Sequence, residues 1–104
     1  MLYKARAKRL MSKEGFPSGY VTLKYLTLCL TPSDIYQHLP ILAKFTQNCG
    51  SVAELGVRGL VSSWAFLHGL QQSTAAQKIL WMNDIEPCEC THFLKHCKES
   101  GIDA

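Results

Sequence analysis

The sequence predicts an α/β fold built around a parallel sheet. Two short apolar segments, residues 52–55 and residues 79–82, have the length and composition of buried strands. A helical pattern separates them, and another follows the second segment before residues 102–104 open a third strand. This alternation of strands and helices favours parallel strands joined by right-handed crossovers. At 104 residues the chain accommodates one small domain.

The two crossover helices are indicated by their apolar stripes. In residues 62–73 the stripe is formed by Trp64, Leu67 and Leu70, with Ala65 and Phe66 widening the face. Residues 91–100 form a second amphipathic helix that ends at Gly101, and its inward side chains are Phe93, Leu94 and Cys97. Both tryptophans, Trp64 and Trp81, are expected in the core.

A further helix is predicted before the first strand. Residues 31–34 form a strong helix start, because their hydroxyl side chains can accept bonds from first-turn N–H groups and Asp34 favours the positive dipole end. Apolar residues then recur at helical spacing to about Asn48, and Gly50 provides a stop. Pro40 should kink this helix or divide it into a first turn and a longer second piece.

Residues 1–30 are expected to form a basic N-terminal extension. Residues 1–24 carry a net charge of +5, which leaves −2 for the rest of a chain whose total is +3. A solvated tail, a targeting peptide and a weak nucleic-acid contact are the alternatives. Residues 3–11 could form a short basic helix. Residues 21–30 are interpreted as a strand or extended segment because they are rich in β-formers, although three leucines there would also suit a helix.

The composition argues against two classes of protein. No run of about 18 apolar residues occurs, so no membrane span is expected. The basic start is not followed by an apolar segment, which argues against a secretory signal. Five cysteines, an odd number, then indicate reduced thiols and a cytoplasmic setting.

The most informative segment is Glu54-Leu55-Gly56-Val57-Arg58-Gly59. It places an acid at a strand end, then a glycine turn, and then the start of a helix. Glycine lets the backbone approach a ligand closely, and the helix N-terminus offers N–H groups. Asp84 ends the second strand in the same way, so the pair indicates recognition of an adenosine. The alternatives are a surface carboxylate for Glu54 and a turn cap for Asp84.

Residues 52–69 resemble the class I S-adenosylmethionine-dependent methyltransferase family. The segment that begins at Glu54 is similar to the first motif of that family, and Asp84 matches the acid that binds the ribose hydroxyls. The resemblance covers residues 31–104 and implies a Rossmann-like three-layer parallel sheet, truncated after its second βα unit. It implies that S-adenosylmethionine is bound by Glu54, Gly56, Val57, Gly59, Asp84 and Ile85, with Ile85 flanking the adenine.

Catalysis is not assigned by this resemblance. The later strands of such a domain carry the acceptor-side and catalytic residues, so methyltransferase activity is expected only if a second half completes the domain. The catalytic residues and the methyl acceptor are therefore left unassigned. A short parallel sheet with an open edge also predicts marginal stability, self-association or a fragment of a larger protein.

Two other functions stay open. Cys88, Cys90, His92 and His96 offer zinc ligands, although a C-x-C pair lacks the usual knuckle spacing and no metal is assigned. The second alternative is a non-enzymatic interaction module on the same fold. Zinc-dependent stability would favour the first of these alternatives, and the absence of both zinc and adenosine binding would favour the second.

Overall fold

A computed structural model describes residues 19–57 and 59–104, and within them the protein is an α/β structure. The helices are α1 (Gly19–Cys29), α2 (Leu39–Thr46), α3 (Val61–Gln72) and α4 (Thr91–Glu99), with a 3₁₀ turn at Tyr36–His38. The strands are β1 (Ser51–Leu55) and β2 (Ile79–Asn83). The basic stretch before Gly19, with the helix predicted at residues 3–11, lies outside the described residues. In the part that is described, every helix is too short or too polar to cross a membrane.

The sheet is parallel, as predicted. β1 pairs with β2 in a register that runs from Ser51 opposite Ile79 to Leu55 opposite Asn83. Of the third strand predicted at residues 102–104, the structure forms an isolated parallel bridge between Asp103 and Ile79, on the other side of β2. The order along the sheet is therefore β1, β2 and then Asp103.

The helices cover one face of this sheet, so the three layers expected from the sequence are not what the described residues form. Side chains on the covered face are buried or half-buried, as Val52, Glu54, Leu80 and Met82 show. On the opposite face Leu55 and Trp81 are 84% and 63% exposed. Two right-handed crossovers that step in the same direction along a sheet place both helices on one face, which explains the two layers. Trp81, expected in the core, lies on the uncovered face.

The core is centred on α3, whose predicted stripe is confirmed. Trp64, Leu67 and Leu70 are at most 4% exposed. They pack with fully buried side chains from three other elements, including Val21 of α1, Leu80 of β2 and Phe93 of α4. Cys97 joins this cluster as predicted, whereas Leu94, predicted inward, is 37% exposed. Hydrophobic burial around a central crossover helix therefore holds the two layers together.

Residues 21–29 are helical, so the predicted strand is wrong and the helical alternative suggested by the leucines is correct. Val21 and Tyr25 of α1 are buried one helical turn apart, and Leu28 packs one further turn along. Tyr25 contacts a second buried cluster that includes Leu39 and Ala65. The buried residues of this segment recur with a helical period because they pack against α3. This tertiary packing overrides the local preference of the segment for a strand.

The helix predicted over residues 31–48 is divided at Pro40, as expected. A 3₁₀ turn at Tyr36–His38 precedes α2, and Pro40 lies in the first turn of α2, where a missing N–H costs nothing. The predicted start at Ser33 is instead a local turn, in which the Ile35 N–H donates to Ser33 Oγ at 3.4 Å. Phe45, on the predicted apolar face, is 70% exposed.

Candidate functional site

The candidate site is the glycine turn at the carboxyl ends of β1 and β2. Gly56 has a φ of +89°, a left-handed conformation that explains glycine at this position. Its N–H donates to the Asn83 carbonyl at 2.8 Å, so the turn is fixed to the end of β2. An added Cβ on Gly56 would meet no atom within 4 Å. The backbone here is therefore open to a ligand.

Asp84 ties the two strand ends together. One of its carboxylate oxygens accepts the Val57 N–H at 2.8 Å, and the other accepts the Glu86 N–H at 3.1 Å. The first bond spans 27 residues and joins the turn after β1 to the exit from β2. The turn cap weighed from the sequence is therefore present.

Glu54 is a buried carboxylate held by the first turn of α3. It is 5% exposed and accepts hydrogen bonds from the hydroxyls of Ser62 and Ser63. Burial raises the pKa of Glu54, and the two serine hydroxyls oppose that rise. The alternative of a surface carboxylate is wrong. Ser62 and Ser63 were not predicted as site residues. The feature that indicates them is a pair of hydroxyl residues at the start of the helix that follows Glu54.

The turn between Gly56 and α3 is conformationally strained at Leu60. Leu60 has a φ of +66° and directly precedes α3, whose N-terminus lacks a side-chain cap. Its N–H donates to the Val57 carbonyl at 3.0 Å. A left-handed leucine costs about 1–2 kcal/mol, which its half-buried packing against the core must offset.

Two cavities meet at Gly56. We call the first the α2-side cavity; it has a volume of about 640 Å³ and lies between the end of β1, α3 and the residues around α2. The second, the β2-side cavity, has a volume of about 550 Å³ and lies between the ends of the two strands. Leu55 and Gly56 line both. An elongated ligand could therefore cross the backbone at Gly56.

The predicted site residues are distributed over these two cavities. The α2-side cavity is lined by Glu54, Gly56, Val57 and Gly59, and the β2-side cavity by Gly56, Asp84 and Ile85. The α2-side cavity also takes Asp34, Ile35 and His38 from the segment before α2. These three were missed as site residues, because the sequence shows no sign that the segment packs beside β1.

The zinc alternative finds no support. Among the described residues, no three histidine, cysteine or acidic side chains are placed to hold a metal ion. His96 instead stacks on Tyr20 with ring centroids 4.3 Å apart, and His92 packs edge-on against His96 at 4.7 Å. Burial, and then the neighbouring His92, lowers the pKa of His96. This cluster is aromatic packing against α1.

Comparison with known proteins adds no family. No protein-family model, curated protein or solved structure matches the chain.

Proposed function

We propose that the glycine turn binds S-adenosylmethionine, as the cofactor-binding part of a class I methyltransferase-like domain with a Rossmann-like arrangement. The observation that carries the proposal is the pair of acids, Glu54 and Asp84, at the carboxyl ends of adjacent parallel strands beside a left-handed glycine. Ligands of open α/β sheets bind at this end of the strands. The two cavities that meet at Gly56 suit a ligand with two polar ends.

In this proposal the adenosine lies in the β2-side cavity. Asp84, which lines this cavity at the end of β2, accepts the ribose hydroxyls. Ile85, which is 97% exposed, covers one face of the adenine. A ribose hydroxyl bound there would share the carboxylate with the Val57 N–H, so the ligand and the turn would be organised by one group.

The methionine end lies in the α2-side cavity. Glu54 and the segment that carries Asp34 line it, and both acids would attract the ligand's ammonium group. Binding here supplies no acceptor site. Methyl transfer depends on holding an acceptor in line with the sulfonium methyl group, so activity is proposed only for a complete assembly.

The test is calorimetric titration with S-adenosylhomocysteine. Ile85→Ala should weaken binding by about 5–30-fold, because it removes about 1–2 kcal/mol of apolar contact. Ile41→Ala is the matched control, since Ile41 is also an exposed isoleucine, at 53%, but lines neither cavity. Saturable binding that Ile85→Ala weakens and Ile41→Ala leaves intact would support the proposal. No binding by the folded chain would contradict it.

A second candidate, the interaction module, is favoured by the uncovered sheet face. Leu55 and Trp81 lie there, 84% and 63% exposed, on adjacent strands. Monomeric proteins rarely leave large contiguous apolar patches in water. Retained folding with no S-adenosylhomocysteine binding would leave this function ahead.

A further inference from the structure

The outer edge of β1 carries backbone groups with no partner strand in the described part of the chain. The Gly50 carbonyl accepts the Ile79 N–H at 2.9 Å, and the Gly56 N–H donates to the Asn83 carbonyl at 2.8 Å. The residues whose backbone groups bond to a neighbouring strand alternate along β1. The N–H and C=O groups of Val52 and Glu54 therefore also point toward β2. The N–H and C=O groups of the alternate set, Ser51, Ala53 and Leu55, therefore point away from it.

This edge lacks the features that usually protect an edge strand. β1 contains no proline, and its one charged residue, Glu54, points into the covered face and is 5% exposed. Ser51, Ala53 and Leu55 are all exposed. The edge therefore lacks the usual protection against pairing with another strand.

The α2-side cavity lies beside the carboxyl-terminal half of the same edge. It is lined by Ala53, Glu54 and Leu55 of β1 and by the turn residues Gly56 and Val57. Its remaining walls include four partly buried apolar side chains, Ile35, Leu42, Val61 and Phe66. A strand added about 4.8 Å from β1 would direct every second side chain toward these walls.

We propose that the edge of β1 binds an extended peptide segment as an added strand, with alternate apolar side chains in the α2-side cavity. Main-chain hydrogen bonds to Ser51, Ala53 and Leu55 would fix the segment, and the apolar walls would select its side chains. Because Asp34 and Glu54 line the cavity, acidic side chains would be disfavoured at the inward positions.

A second copy of this chain fits less well than a lone strand. Pairing two β1 strands about a twofold axis would bring the second copy's α3 onto the covered face, beside the first α3. That place is taken by α2, which packs so closely on α3 that an added Cβ at Gly69 would lie 2.7 Å from the Ala43 carbonyl. A segment without its own helices avoids this collision.

The test uses a random linear octapeptide library displayed on phage, with selected peptides resynthesised. We expect selected sequences with apolar residues at alternate positions. N-methylation of the alternate amides that face β1 should weaken binding about tenfold or more, and methylation of the other set should not. Equal effects for both sets, or no enrichment by the folded protein, would overturn the proposal.

Protein variants give an independent readout. Ala53→Pro removes an outward N–H without breaking a bond to β2 and should abolish peptide binding, whereas Ala53→Val keeps the N–H and should retain it. If the proline variant does not fold, the methylated peptides still decide the question. A concentration-dependent dimer that Ala53→Pro dissociates would identify a second copy as the occupant and overturn the peptide.

The peptide and cofactor proposals can fail separately. The peptide experiments are done without S-adenosylhomocysteine, and Ile85→Ala, in the other cavity, should leave peptide binding unchanged.

Discussion

Gly69 offers the sharpest test of the helix packing that supports the site. An added Cβ at this position would lie 2.6 Å from Thr46 Cβ and 2.7 Å from the Ala43 carbonyl oxygen. Both neighbours are 3% exposed and belong to α2, so neither has room to move alone. To reach ordinary contact near 3.4–4 Å, α2 and α3 would have to separate by about 1 Å.

Two effects of Gly69→Ala oppose each other. Helix propensity favours alanine by about 1 kcal/mol in the interior of α3. Overpacking costs about 1–3 kcal/mol, and the upper part of that range applies because a backbone carbonyl and a Cβ are the atoms in conflict. We therefore expect a net loss of about 1–2 kcal/mol in the free energy of unfolding.

The assay is urea unfolding followed by circular dichroism. Gly59→Ala is the control, because an added Cβ there meets nothing within 4 Å and Gly59 is not in the left-handed region. It should leave the unfolding free energy unchanged or raise it by up to about 1 kcal/mol. A Gly69→Ala protein as stable as the parent would refute the close approach of α2 and α3.

Three further predictions concern titration and hydrogen bonding. Burial lowers the pKa of His68 to about 4, so unfolding takes up a proton and stability should fall by about 3 kcal/mol as pH drops from about 6.5 to 4. His68→Phe should remove most of this fall in urea midpoints, and the remainder is expected from His96, whose pKa is also lowered. Glu54 has a raised pKa, so unfolding releases a proton and stability should fall as pH rises above the usual glutamate value; Glu54→Gln should remove that slope. Asp84→Ala should cost about 1–2 kcal/mol by leaving the Val57 N–H without its acceptor, and Asp84→Asn should cost less; equal losses in thermal unfolding would argue against the bond.

The parts of the fold that the sequence predicted are those in which local pattern and tertiary packing agree. β1, β2, α3 and α4 begin and end within about one residue of their predicted bounds. Their apolar residues follow a single period, and glycine or polar residues mark their ends. The placement of Glu54 and Asp84 at the same end of the sheet was predictable for a related reason, because the carboxyl ends of adjacent parallel strands lie side by side.

The parts that the sequence did not predict depend on contacts between distant segments. α1 is a helix because α3 buries Val21 and Tyr25, which no local preference requires. The segment around Asp34 lines a cavity because α2 packs at Gly69. The left-handed conformation of Leu60 has no local signal either, since leucine is a poor choice for it.

The acids of the motif also have structural roles, and this decides how the proposed function can be tested. Glu54 holds the first turn of α3 to β1, and Asp84 holds the glycine turn to the end of β2. Removing either acid would disturb the cavities even if no ligand ever bound, so lost binding in those variants would not distinguish a ligand contact from a collapsed turn. Ile85, at 97% exposure, contributes almost nothing to the fold. A loss of S-adenosylhomocysteine affinity in Ile85→Ala would therefore report on the ligand itself.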